Sequence, residues 1–205
     1  MHILAVLCLL IGFSTALTAA PTPQSVALSE KQMQSLRQGK LEIREIAENN
    51  KGRRFEVYAI INAQPQKVLD ALLDYEHYPE FMPNVKRVDI VEQTADHNII
   101  NQTLGLPLGK IKRYRLENHI TRNADSIGLA WRMLPWPELP ADERIGDTSG
   151  YWILQAQDEN HTLVVYHIYT DPGDVPFGLG WIVDLLSTKS VPDVVENTRN
   201  YVQRK

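Results

Sequence analysis

Between Val88 and Tyr169 the apolar residues of this 205-residue chain tend to recur at every second position, and towards the C-terminus the interval changes to three and four. The first spacing sends side chains alternately to the two faces of a strand, whereas the second gathers them on one stripe of a helix. Strands are predicted over 88–91, 98–104, 111–120, 127–134, 151–156 and 163–169, with no helical pattern between them. Such a run argues for an antiparallel sheet with one solvated face. Tyr114, Leu116, Asn118 and Ile120 share one face of their strand, opposite Arg113, Arg115, Glu117 and His119. Ile127, Leu129, Trp131 and Met133 form a second apolar face. Tyr151 opens the next strand, and Val165, His167 and Tyr169 share a face of the last one.

Upstream, Ser29 is a candidate N-cap for a helix running to Gln38, with Gly39 as its stop. Two strands follow around Leu41–Ile46 and Phe55–Ile61, joined by a turn containing Asn49, Asn50 and Gly52. After Pro65, the spacing of Val68, Leu69, Leu72 and Leu73 predicts a helix, which Pro79 and Pro83 prevent from continuing. Tyr75, Tyr78, Phe81 and Met82 then plug one end of a groove or form an ordinary aromatic corner. Beyond the last strand, Asp171, Pro172 and Gly173 supply turn chemistry, and Pro176 fits a helix start. Trp181, Ile182, Leu185, Val191, Val195 and Val202 form the stripe of one long closing helix.

The connection 135–147 carries three prolines and Trp136. Long connections of this kind are often binding loops, which makes Trp136 and Pro137 gate candidates where the protein meets a membrane. The competing reading is a stiff surface loop whose Trp packs on its own domain.

Residues 2–18 contain no Lys, Arg, Asp or Glu, and the apolar run Ile3–Phe13 precedes small residues ending at Ala19 and Ala20. This is the pattern of a signal peptide over 1–20 and implies a periplasmic or secreted protein, with an uncleaved anchor as the alternative. The mature chain of about 185 residues then has a flexible terminus over 21–28 and a single domain over 29–205. The only cysteine, Cys8, falls inside the segment to be removed, so the mature chain has neither disulfides nor thiolate chemistry. A net charge of -4 favours neither nucleic acid nor anionic lipid as a partner. Lys110, Lys112, Arg113 and Arg115 read as a solvated strand face.

No phosphate-binding glycine loop or nucleophile elbow is present, and the histidines have no acid or cysteine partner at metal-ligand spacing. A zinc site would need residues distant in sequence to converge, so neither metal nor cofactor is expected. His167 reads as an interior or cavity-lining histidine, since acid–base work needs a partner the sequence does not supply.

Thr162, Tyr166, Asp171-Pro172-Gly173 with Val175-Pro176, and Pro192 followed by Arg199 together resemble the START (StAR-related lipid-transfer) family of the helix-grip, polyketide cyclase-like superfamily. The resemblance spans roughly 28–205, and the segment around Tyr75–Glu92 is similar to the shorter bacterial branch that includes aromatase/cyclases. It implies an α+β helix-grip fold, a curved antiparallel sheet wrapped around a long C-terminal helix with an apolar cavity. It also implies binding or transfer of a hydrophobic small molecule or lipid (a lipid, sterol, isoprenoid or quinone) without a cofactor, or else cyclase chemistry in the same cavity. The expected lining comprises Tyr114, Leu116, Leu129, Trp131, Met133, Tyr151, Val165, His167, Trp181, Leu185 and Val195. No catalytic residue is assigned, because no acid–base constellation is visible.

Overall fold

The chain is described by a computed structural model over residues 28–48, 52–173 and 189–205. The signal segment, most of the 21–28 terminus, and the helix positions Trp181 and Leu185 lie outside the described residues. Ser29 caps helix α1 (Glu30–Arg37) through a capping box with Gln32, and Gly39 takes the positive φ of 84° that ends the turn beyond it. Strands β1 (Glu42–Ile46) and β2 (Arg53–Ile61) follow, then α2 (Pro65–Leu72), a 3₁₀ turn (Tyr75–His77) and the short helix α3 (Tyr78–Phe81). Pro65 stands at the start of α2 and Pro79 at the start of α3, where a missing N–H costs no helix hydrogen bond.

Six further strands complete the sheet: β3 (Val85–Gln93), β4 (His97–Gly105), β5 (Ile111–Arg122), β6 (Ser126–Leu134), β7 (Asp147–Ala156) and β8 (Thr162–Asp171). All pairings are antiparallel, in the order β1-β2-β8-β7-β6-β5-β4-β3. The step from β2 to β3 therefore crosses the whole sheet, and α2 and α3 lie along that crossing. The C-terminal helix, Ser190–Arg204, packs on α2, α3 and β2. Pro192 sits in its first turn, where it is tolerated. No helix among the described residues is long and apolar enough to cross a membrane.

One side of the sheet faces the helices. Val57, Leu129, Trp152, Leu154, Val164 and Tyr166 meet Val68, Leu69 and Leu72 of α2 and Val191, Val195 and Val202 of the C-terminal helix in one core. Asp74 fixes the far end of that helix, since its carboxylate accepts from the Tyr201 hydroxyl at 2.7 Å and pairs with Lys205 and His77. Burial alone would raise the Asp74 pKa, but the hydrogen bonds from Lys205, His77 and Tyr201 outweigh it and hold the carboxyl far below its usual range. At the near end, Asn84 donates from its amide to the Ser190 hydroxyl at 3.0 Å.

On the opposite side, α1 covers only part of the sheet. Leu36 packs with Tyr58 and Ile60 of β2, and Leu163 and Val165 of β8 lean against them. β2 and part of β8, on the β1 side of the sheet, are thus covered on both faces, whereas no helix covers the outer face of β3 to β5 among the described residues. Leu36→Ala should cost about 2–5 kcal/mol, the range for removing a fully buried leucine. The shift of the urea unfolding midpoint measures it, and a loss well under 1 kcal/mol would mean that α1 is dispensable to the sheet.

Candidate functional site

Between the concave face and the helices lies a cavity of about 150 Å³. Strand alternation decides which residues reach it. Ile100, Gln102 and Leu104 come from β4, Tyr114, Leu116 and Asn118 from β5, and Leu129 and Trp131 from β6. Thr148 and Trp152 of β7 and Tyr166, Ile168 and Thr170 of β8 continue the wall. Tyr75, Tyr78 and Met82 line one end, while Ser190, Val191 and Val194 of the C-terminal helix line the side opposite the sheet.

Aromatic packing shapes the middle of the wall. Trp152 and Tyr166 are cross-strand neighbours with ring centroids 4.4 Å apart, and Trp131 stacks on Tyr166 at 5.9 Å. Trp131 fits because its partner across the ladder is Gly150, where a Cβ would stand 2.4 Å from the indole and 2.1 Å from the His167 carbonyl oxygen. The plug residues are tied in the same way. Tyr75 and Tyr78 meet edge to face at 5.2 Å, and Phe81 stacks on Tyr201 at 4.0 Å, so Phe81 anchors the C-terminal helix instead of facing the cavity.

No Asp, Glu, Lys, Arg or His lines the cavity among the described residues. Its polar groups are amides and hydroxyls. Asn98, buried on the concave side beside Asn118, accepts from Tyr75 at 3.0 Å and from Asn118 at 2.7 Å, and Thr148 donates to the Tyr169 carbonyl at 2.9 Å. The side chains of Gln102, Tyr114 and Tyr166 hydrogen-bond to no described residue and remain open to a guest. Burial raises the pKa of Tyr75 to about 12, partly offset by its bond to Asn98. It pushes Tyr78, Tyr114 and Tyr166 higher, with Tyr114 adding to the shift of Tyr166. These phenols stay protonated and act as neutral hydrogen-bond donors.

The residues expected to line the cavity divide sharply. Tyr114, Leu116, Leu129 and Trp131 stand on its wall. Met133 shares their side of the sheet but packs against the core, and Val195 is fully buried in the core beside the lining Val191 and Val194. Tyr151, Val165 and His167 belong to the other face and need correcting. Both faces of β7 and β8 carry large side chains, so alternation there has no polar side to mark the outside. Tyr166 and Trp152 were the inward neighbours.

On that outer face, His167, Tyr151 and Glu56 stand side by side across three strands. The His167 and Tyr151 rings stack at 4.6 Å, and His167 Nδ1 lies 3.2 Å from Glu56 Oε1. Tyr58 donates to the other Glu56 oxygen at 2.7 Å. The gate residues are also displaced from the cavity. Trp136 lies under the Arg115 guanidinium at 4.8 Å, and Arg144 donates to the carbonyls of Pro137 and Leu139, folding the loop onto its own domain. Its contribution to the cavity wall is Ile145. Strand pairing also brings together His97, Glu117 and His119, distant in sequence, on the outer face.

His167 sets a pH dependence whose sign follows from its burial. Burial lowers its pKa from the usual value near 6.5, Glu56 works against that shift, and Arg54 adds to it. The unfolded chain therefore binds this proton more readily, and stability falls as pH drops below about 6.5. His77, raised by its bond to Asp74, contributes in the opposite direction. His167→Gln should reduce the loss of urea stability between about pH 7.5 and 5.5, and an unchanged loss would show that other groups control it.

The surrounding proteins place this architecture. The STAR-related lipid transfer protein from Xanthomonas axonopodis superposes with a TM-score of 0.68 at 17% identity, covering 80% of this chain and 93% of that one. Human StAR-related lipid transfer protein 5 gives 0.63 at 14% identity, with 85% and 92% covered. The Zhui aromatase/cyclase from a Streptomyces species gives 0.59 at 16% identity, with 75% and 94% covered. At these identities the likeness is one of fold, the helix-grip fold of START proteins. No curated protein matches the chain in sequence. The family model described as polyketide cyclase / dehydrase and lipid transport matches residues 61–198, more than half of the chain, and the protein belongs to that family.

Proposed function

We propose that the protein binds a neutral, largely apolar molecule in this cavity and carries it without altering it. The observation that carries the reading is the composition of the wall, which among the described residues combines aliphatic and aromatic surface with amides and hydroxyls and has no charged side chain. An ion would lose its hydration there without gaining a counter-charge. An apolar guest gains about 0.8 kcal/mol for each methylene it buries. The unpartnered Tyr114, Tyr166 and Gln102 side chains suit a guest with one hydroxyl or carbonyl, which would fix its orientation.

Size narrows the class. A volume of about 150 Å³ is roughly what admits a single benzene ring, whereas ligand pockets commonly run from about 300 to 1,000 Å³. A sterol, quinone or acyl chain therefore requires the wall to give, and the unbranched Met82 at the plug is the side chain best able to do so. The named lipid transfer proteins of the same fold support the carrier reading, and the uncharged apolar start of the chain fits export to the periplasm.

Cyclase chemistry is the second reading, favoured by the aromatase/cyclase fold relative and the buried tyrosines. Tyrosines held protonated can donate a proton, but a cyclisation also needs a group to remove one, and the described wall has no carboxylate or imidazole.

Leu116→Trp places an indole in the middle of the wall and should abolish uptake of an environment-sensitive apolar fluorophore. Overpacking costs about 1–3 kcal/mol, so retention of the fold is checked by circular dichroism. Undiminished uptake by the folded variant would place binding elsewhere.

A further inference from the structure

We infer that His97, Glu117 and His119 form a divalent-metal site of the zinc class on the outer face of the sheet. The register of β4 and β5 sets His97 directly opposite His119, and Glu117 lies two residues from His119 on the same face. One potential ligand atom from each residue falls within 4.8 Å of both others. His97 Nε2 is 3.2 Å from Glu117 Oε1, and His119 Nε2 is 3.6 Å from Glu117 Oε2. Ligands bound at about 2.0–2.2 Å around a tetrahedral zinc stand roughly 3.4 Å apart, so small side-chain rotations bring all three onto one ion.

The surroundings favour occupation. The Glu117 side chain is only 15% exposed and that of His97 23%, which limits the freedom lost on binding. Arg132, paired with Glu117 across β5 and β6, donates to its Oε2 at 2.5 Å. That bond leaves Oε1 turned towards His97 and orients the carboxylate in the way that supporting hydrogen bonds orient metal ligands. Glu92 of β3 lies 3.7 Å from His97 Nδ1 and can accept that ring's other proton.

Two imidazoles and one carboxylate suit zinc, copper, nickel and cobalt and discriminate against magnesium and calcium, which take oxygen ligands. His119 is half exposed, so solvent supplies the remaining position. The site lies on the side of the sheet away from the cavity and is independent of what the cavity holds. An ion there joins β4 to β5 and, through Glu92, braces the edge strand β3.

Titration of untagged, chelator-stripped full-length protein with ZnCl₂ by isothermal calorimetry tests the assignment, with CoCl₂ as a spectroscopic probe. One equivalent should bind with micromolar affinity, raise the melting temperature, and give cobalt visible bands of nitrogen ligation. His119→Ala and Glu117→Gln should each weaken binding at least about tenfold, while His161→Ala, which alters a separate His–Asp pair, should leave it unchanged. Absence of saturable binding, or binding equally strong in His119→Ala, overturns the proposal. Should Glu117→Gln disturb the fold by releasing Arg132, the half-exposed His119→Ala decides alone.

Discussion

Antiparallel pairing sends every second side chain of eight strands to one concave surface, and the architecture depends on how that surface is kept from water. Its residues are too apolar to be solvated, and the sheet is too broad for one helix to fill the space beneath it. The C-terminal helix and α2 cover the middle, Tyr75, Tyr78 and Met82 line an end, and a void is left between them. The described part of the wall is uncharged, which permits that void, since a lone ion facing it would cost more than packing returns. The same constraint puts ionisable groups elsewhere: Asp74 at the foot of the helix, Glu56 and His167 behind the sheet, and His97, Glu117 and His119 on its exposed side.

The cavity wall is held by contacts that leave little slack. Trp131 reaches Tyr166 only because Gly150 has no side chain, and Trp152 fixes Tyr166 from the adjacent strand. Asn98, buried on the concave side beside Asn118, collects the hydrogen bonds of Tyr75 and Asn118, so one buried amide joins the helical plug to the sheet. Tyr114, Tyr166 and Gln102 have no such internal partner. Among the described residues those groups are open to a guest, and on the proposed carrier reading this division of hydrogen bonding would suit one with a single polar group.

The succession of strands and helices along the chain was readable wherever one period dominated, but the order of the strands within the sheet was not. In β5 and β6 the outward residues are charged or small, so alternation identified Tyr114, Leu116, Leu129 and Trp131 correctly as inward-facing. In β7 and β8 it failed, because α1 covers Val165 from outside and Tyr151 and His167 stack on each other beside the buried Glu56. Two apolar faces have no internal sign to tell them apart. For the loop around Trp136 the sequence left a gate and a packed loop as alternatives, and the indole packs on its own domain; its partner could not be named, because Arg115 lies on a strand brought there only by the fold. Convergence of His97 with His119 was likewise hidden, since a hairpin's register, and not sequence spacing, places them opposite each other.

Native mass spectrometry of the protein isolated without detergent from its own cells, followed by solvent extraction of any adduct, tests the central claim most directly. A single neutral, predominantly apolar molecule bound at one per chain, released on unfolding and lost in Leu116→Trp, is the predicted result. A charged or phosphorylated occupant, or a neutral one retained by the folded Leu116→Trp variant, would contradict the assignment of this cavity as the binding site.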